Sequence, residues 1–199
     1  MYALIDGNSF YASCERVFFF FLKHRPIVVL SNNDGCVITR TAEAKALGIN
    51  MGTPYFQIKD TVNRYGIKVF SSNYELYGDL SARMMQTIES LVPAIEVYSI
   101  DECFADVSGM TDLSALGKQI RDRVLQWVGI PTCVGIAPTK TLAKFCNHLA
   151  KQHPVFKGVV NWSVWSADIQ QRALKSQAVS EVWGIGYRIS SALNDMGIE

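Results

Sequence analysis

The chain has 199 residues, 49% of them hydrophobic and 19% charged. That balance excludes a disordered or low-complexity chain and leaves ample apolar matter for a core. The longest uninterrupted apolar run, Val17 to Leu22, is far short of the ~20 residues that span a bilayer. No basic region precedes an apolar one at the start, so the expectation is no signal peptide, no membrane and a cytoplasmic location. The five cysteines include no CxxC pair and the three histidines lack ligand spacing, which argues against a disulfide scaffold and against zinc.

In chain order, Tyr2-Ala3-Leu4-Ile5-Asp6 reads as a buried strand. Asn8 is placed as the N-cap of a helix from Phe10 to Val17. Pro26 to Leu30 reads as a second buried strand. The turn Asn32-Asn33-Asp34-Gly35 leads into a strand at Cys36 to Thr39. Thr41 to Leu47 is a short helix ended by Gly48. Residues 51–66 carry the breakers Gly52, Pro54 and Gly66 and receive no element. Lys68 to Phe70 is a short strand, and Asn73 to Leu91 a long helix stopped by Pro93. Ile95 to Ile100 and Cys103 to Val107 form a hairpin around Asp101-Glu102. A helix at Asp112 to Trp127, a strand at Thr132 to Ile136, a helix at Thr139 to Lys151 and a strand at Gly158 to Val160 follow. Beyond Trp162 the pattern becomes short amphipathic helices, Gln170 to Leu174 and Ile189 to Met196.

Without residues 18–72 this order is strand, helix, hairpin, helix, strand, helix, strand. That is a split βαβ, ferredoxin-like sheet in an α+β fold, with 18–72 inserted as a subdomain.

Asp6, Asp101 and Glu102 each fall where a predicted strand ends. Three carboxylates at neighbouring strand tips can hold two divalent cations about 3.5–4 Å apart, the device of phosphoryl transfer. Charge is distributed to match. Residues 79–112 carry seven acids and one base, and residues 118–157 seven bases and one acid. Metals beside phosphates explain that tally, and so do solvated helix faces.

Several strings coincide with a known family. Asp6-Gly7-Asn8-Ser9-Phe10-Tyr11-Ala12-Ser13-Cys14-Glu15, Tyr98-Ser99-Ile100-Asp101-Glu102 and Gly135-Ile136-Ala137-Pro138-Thr139-Lys140-Thr141-Leu142-Ala143-Lys144 resemble the three motifs of the Y-family (translesion) DNA polymerases. Leu30-Ser31-Asn32-Asn33-Asp34-Gly35-Cys36-Val37-Ile38, Phe70-Ser71-Ser72-Asn73-Tyr74-Glu75-Leu76-Tyr77 and Val182-Trp183-Gly184-Ile185-Gly186 resemble its UmuC branch. The resemblance covers essentially the whole chain.

The resemblance implies a catalytic palm at 1–17 and 73–161, fingers at 18–72, and a partial thumb at 162–199 with a helix-hairpin-helix. It implies an error-prone, DNA-templated DNA polymerase core of the SOS damage response. Two Mg²⁺ ions would sit on Asp6, Asp101, Glu102 and the Gly7 carbonyl. The backbone of Asn8, Ser9, Phe10 and Tyr11 would cradle phosphate at a helix N-terminus. The Tyr11 ring would be the steric gate against a ribose 2′-hydroxyl, with Phe10 beside it or simply in the core. Lys45 and Lys151 would hold the triphosphate. Ala42 stands where many relatives carry a tyrosine on the same phosphates, which shifts weight onto those lysines. Val37 and Ile38 would roof the nascent base pair. Lys140 and Lys144, at i and i+4, would hold DNA phosphate or the acidic cluster. Gly184 and Gly186 would bind a DNA phosphate through backbone amides, although a glycine helix cap explains them equally.

The implied partners are primer-template DNA, a dNTP, a UmuD-like subunit and a recombinase filament. The little-finger domain and the sliding-clamp contact region of the family are expected to be absent. Phe18-Phe19-Phe20-Phe21 departs from the polar, proline-containing connection of similar chains, and some of its rings must be exposed. Two other readings remain: a fragment that binds DNA or partner proteins without synthesis, and a nucleotide cyclase on the same acids.

Overall fold

The computed structural model describes residues 1–198, apart from the side chain of Phe20. The expectations at Phe20 and Glu199 lie outside the described residues. Among the described residues there are eight strands and eight α-helices, an α+β architecture. Among the described residues, no helix is long and apolar enough to cross a membrane. The chain divides into two compact units.

The first unit takes Met1–Asp6, Glu89–Asp122 and Thr132 onward. Its sheet is built from β1 (Tyr2–Gly7), β5 (Ala94–Val97), β6 (Glu102–Asp106), β7 (Thr132–Ala137) and β8 (Val159–Asn161). The strand order is β5-β6-β1-β7-β8. The first four of these have the order of a ferredoxin-like sheet, as the pattern of elements predicted. β1 runs antiparallel to β6, with Tyr2 opposite Asp106 and Asp6 opposite Glu102. The central strands β1 and β7 are almost wholly buried, which explains the apolar run Tyr2 to Ile5 ahead of Asp6 and the mostly apolar run from Cys133 to Ala137.

Helix α6 (Lys140–Gln152) lies on this sheet, and one glycine permits it. A Cβ on Gly135 of β7 would come within 2.2 Å of both the Ala143 carbonyl oxygen and the Asn147 amide nitrogen. No side chain fits that gap, so helix and strand backbones approach each other directly. The buried Asn147 side chain then donates to the carbonyls of Leu4 (3.2 Å) and Cys133 (2.8 Å). Leu4, Phe104, Phe145, Leu149 and Trp162 form the core beneath the helix. The first unit also holds α7 (Ala167–Lys175) and α8 (Tyr187–Asp195). Gly186 caps α8, and Gly184 has a left-handed φ of 93°. Residues 176–186 separate the two helices, a longer connection than a tight hairpin turn.

The second unit takes Gly7–Ile88 and Arg123–Pro131. It contains α1 (Phe10–Phe18), α2 (Ala42–Ala46), α3 (Tyr55–Tyr65) and most of α4 (Tyr74–Glu89). The strands β2 (Ile27–Leu30), β3 (Val37–Arg40) and β4 (Lys68–Ser71) form a sheet of order β3-β2-β4. Helix α5 (Leu113–Val128) contributes to both units.

Two expectations change here. Helix α3 occupies residues read as broken: Pro54 precedes its first turn and Gly66, at φ 62°, ends it. Both residues mark boundaries rather than interruptions. The N-cap of α1 is Ser9 rather than Asn8, and it sits in the left-handed region at φ 46°. In the phenylalanine run, Phe18, Phe19 and Phe21 are exposed, and the rings of Phe19 and Phe21 lie 5.6 Å apart.

Candidate active site

Antiparallel pairing places the end of β1 beside the start of β6, so the site is made at one end of two interior strands of the sheet. Asp6 and Glu102 are register partners there. Glu102 therefore opens a strand, where the hairpin reading had the acidic pair following one. Asp6 is buried, with 6% of its surface exposed. Burial pushes its carboxyl well above the usual range, and the neighbouring Glu102 adds to the rise while Lys151 opposes it. Glu102 moves the other way. Its burial is outweighed by the hydrogen bond from Asp6 and by the ammonium of Lys144, so it stays ionised below its ordinary range. Of this pair, Asp6 holds the proton more tightly.

Two lysines from α6 meet the two acids. Lys151 Nζ lies 2.5 Å from Asp6 Oδ2. Lys144 Nζ lies 2.7 and 2.8 Å from the two oxygens of Glu102. Their spacing of seven residues puts both on one helical face. A cavity of about 170 Å³ opens among Asp6, Glu102, Lys144, His148, Lys151 and Trp183.

Asp101 is not gathered with the other two acids. Its Oδ1 accepts a hydrogen bond of 2.8 Å from the Ser99 hydroxyl, inside the turn that joins β5 to β6. Tyr98 and Ser99 amides both donate to the Glu102 carbonyl in that turn. Asp101 lies in that turn, ahead of the first residue of β6. Among the described residues, no three His, Cys, Asp or Glu side chains form a metal-holding group. The expected three-acid cluster is thus a two-acid pair with Asp101 one residue away.

Lys140, expected with Lys144 to hold DNA phosphate or the acidic cluster, pairs with Glu96 at 2.5 Å and lies 5.2 Å from the Phe104 ring centre. Both lysines therefore engage acids of the first unit. Trp183 is the residue missed. It stands 5.8 Å from Lys144 Nζ, and only its long-range contact, invisible in local pattern, marks it.

The remaining candidates belong to the second unit. The Asn8 amide donates to the Pro131 carbonyl at 2.8 Å, so that N–H is not available to a phosphate as expected. Gly7 closes β1, and a Cβ there would meet the Phe10 ring at 2.8 Å. Ser9 accepts the Ser13 amide. Phe10 is buried at 3% exposure and belongs to the packing. Tyr11 keeps a partly open ring. It stacks on Tyr77 at 4.5 Å and 19°, and meets the edge of Tyr74 at 5.9 Å. The Tyr77 hydroxyl donates to Glu15 Oε1 at 2.8 Å, which fixes the underside of the stack. Lys45 lies on α2. Val37 is fully buried in the core with Val28 and Ile58, so it cannot touch a base pair; Ile38, on the opposite strand face, is partly exposed.

The impB/mucB/samB family model matches residues 5–148, more than half of the chain. Protein UmuC of Salmonella typhimurium is 53% identical over 203 residues, covering all of this chain and 48% of that protein. Protein ImpB of Salmonella typhimurium is 51% identical over 201 residues, again across the whole chain and 47% of the relative. Among solved structures, the insertion ternary complex of Dbh DNA polymerase superposes with a TM-score of 0.84 at 27% identity, over all of this chain and 58% of that one. DinB from Sulfolobus solfataricus gives 0.78 at 27% identity over 57% of its chain. The chain thus spans about half the length of the relatives it matches.

Proposed function

The chain belongs to the impB/mucB/samB family, with the fold of the Y-family DNA polymerases, and from that premise we propose that it is the catalytic portion of an error-prone, DNA-templated DNA polymerase. The observation that carries this reading is the register pairing of Asp6 with Glu102 under two lysines. The reaction is attack of a primer 3′-hydroxyl on the α-phosphate of a dNTP, with pyrophosphate leaving.

The donor set fits a hard divalent cation. It consists of the carboxylate oxygens of Asp6 and Glu102. Asp6 and Glu102 are the residues that would hold Mg²⁺; Asp101, which the family resemblance adds with the Gly7 carbonyl for a second ion, would have to leave its hydrogen bond with Ser99 to join them. When bound, such ions lower the pKa of the attacking hydroxyl and neutralise charge on the phosphates. The chain's own groups do the rest. Lys151 and Lys45 supply positive charge for the triphosphate. The Ser9, Phe10 and Tyr11 backbone at the start of α1 faces phosphate with the positive end of the helix. The Tyr11 ring, held by Tyr77 and Glu15, occupies the space of a 2′-hydroxyl. Ile38 covers the base pair. Lys140, Lys144 and the Gly184–Gly186 turn carry salt-dependent, sequence-independent DNA affinity.

By domains, residues 1–17 and 73–161 act as palm, 18–72 as fingers and 162–199 as part of a thumb. A UmuD-like subunit and a recombinase filament are the protein partners, and the compartment is the cytoplasm. Primer extension with Mg²⁺ and dNTPs tests the proposal, and undiminished extension by Asp6→Asn would overturn it. A second reading, binding of DNA or partners without synthesis, is favoured by the engagement of Asp101 with Ser99. Tight DNA binding with no extension at any enzyme concentration would select it.

A further inference from the structure

Lys144 is held by more than its acid. Its ammonium lies 5.1 Å from the Tyr98 ring centre and 5.8 Å from that of Trp183, while it bonds both oxygens of Glu102. The two rings meet edge to face at 5.5 Å and 87°. Phe104 backs both, at 5.8 Å from each. This geometry presents aromatic faces to a cation while Glu102 fixes its other side.

Trp183 reaches this place from far along the chain, and its segment is pinned. Gln177 Oε1 lies 3.1 Å from His148 Nε2, and Glu181 Oε2 lies 3.6 Å from the same nitrogen. Successive turns, Val182 to Val179 and Ile185 to Val182, stiffen the approach. Gly184 then redirects the backbone immediately after the tryptophan. Trp183 is still 37% exposed, so filling a core does not account for its position.

We propose that Trp183 is a positioning residue: with Tyr98 it boxes the Lys144 ammonium onto Glu102 and so fixes the direction in which that carboxylate faces the cavity. The idea rests on the polymerase reading for its consequence in catalysis, and on geometry alone for the box itself. It predicts that the segment after α7 is needed for an ordered acidic pair.

The test uses the whole chain and the variants Trp183→Leu and Trp183→Phe, both checked by circular dichroism and melting. The first readout is amine labelling, with reductive methylation of each lysine followed by mass spectrometry at one fixed pH. Lys144 should label more slowly than the exposed Lys175. In W183L its rate should rise by about fivefold, the size expected for one lost cation–π contact. In W183F, which retains a ring, it should stay near the parent rate. Lys140 shares the helix but does not touch Trp183, so its rate should not change. Equal Lys144 rates in parent and W183L, or a parallel rise at Lys140, would overturn the box. The second readout is nucleotide incorporation: W183L should lower kcat with KM for dNTP unchanged, and a KM change alone would contradict a positioning role. If the parent incorporates nothing, the polymerase reading fails, and the labelling still judges the box.

Discussion

Lys151 Nζ and Asp6 Oδ2 lie 2.5 Å apart, a cation from helix α6 set directly on the first acid of the chain. About two turns earlier on the same helix, Lys144 does the same for Glu102. The acidic pair is therefore built together with its counter-charges. This is how two carboxylates can sit side by side at the ends of interior strands.

The first prediction concerns that lysine. Lys151→Ala should raise KM for dNTP by about tenfold to a hundredfold, the scale of a lost charge-assisted contact. Lys151→Arg should recover part of the loss. Steady-state single-nucleotide incorporation measures it; an unchanged KM in the alanine variant removes Lys151 from the triphosphate.

The seat of α6 gives a sharper structural test. Gly135→Ala would drive a Cβ into the backbone of Ala143 and Asn147, and backbone cannot move aside as a side chain can. The expected cost is about 3 kcal/mol or more, read from the urea midpoint. A midpoint within experimental error of the parent would show that the helix can ride away from β7.

Tyr11 provides a specificity test. Tyr11→Ala should admit ribonucleotides, raising the ratio of rNTP to dNTP incorporation by at least about tenfold. Tyr77→Ala, which removes the ring stacked on it at 4.5 Å, should move the ratio the same way by less. No rise in either variant would dismiss Tyr11 as the gate.

The Glu15–Tyr77 link predicts a pH dependence. Burial pushes the Glu15 carboxyl above its usual range, and the Tyr77 hydroxyl only partly restrains it. The folded state therefore disfavours the ionised form relative to the unfolded chain. Stability from this site is intact below the ordinary carboxylate range and is lost as pH rises through the raised value. Glu15→Gln keeps an acceptor for Tyr77 without the charge. Its stability relative to the parent should grow between about pH 4 and pH 7. Urea midpoints of the two proteins at both ends of that range decide it, and a constant difference would contradict the assignment.

The sequence pattern carried much of this and missed identifiable parts. The five-stranded sheet was legible because β1 and β7 are largely apolar and Asp101-Glu102 sits in a short hairpin. Helix α3 was not, because Pro54 and Gly66 look alike whether they interrupt a helix or bound it. The pairing of Asp6 with Glu102 follows from strand order, but the turning aside of Asp101 depends on the Ser99 hydroxyl. Val37 and Ile38 read alike as apolar strand residues; only the buried side of β3 separates them. Trp183 had no local signal, since its contacts with Tyr98 and Lys144 cross long stretches of chain.

The central claim is that Asp6 and Glu102 together carry nucleotidyl transfer. Single-turnover extension of a labelled primer, with Mg²⁺ and the templated dNTP, measures it on the parent chain and on Asp6→Asn and Glu102→Gln. The account predicts extension by the parent and a fall of about a thousandfold or more in each variant, with DNA affinity retained. Extension by either variant at the parent rate would contradict it.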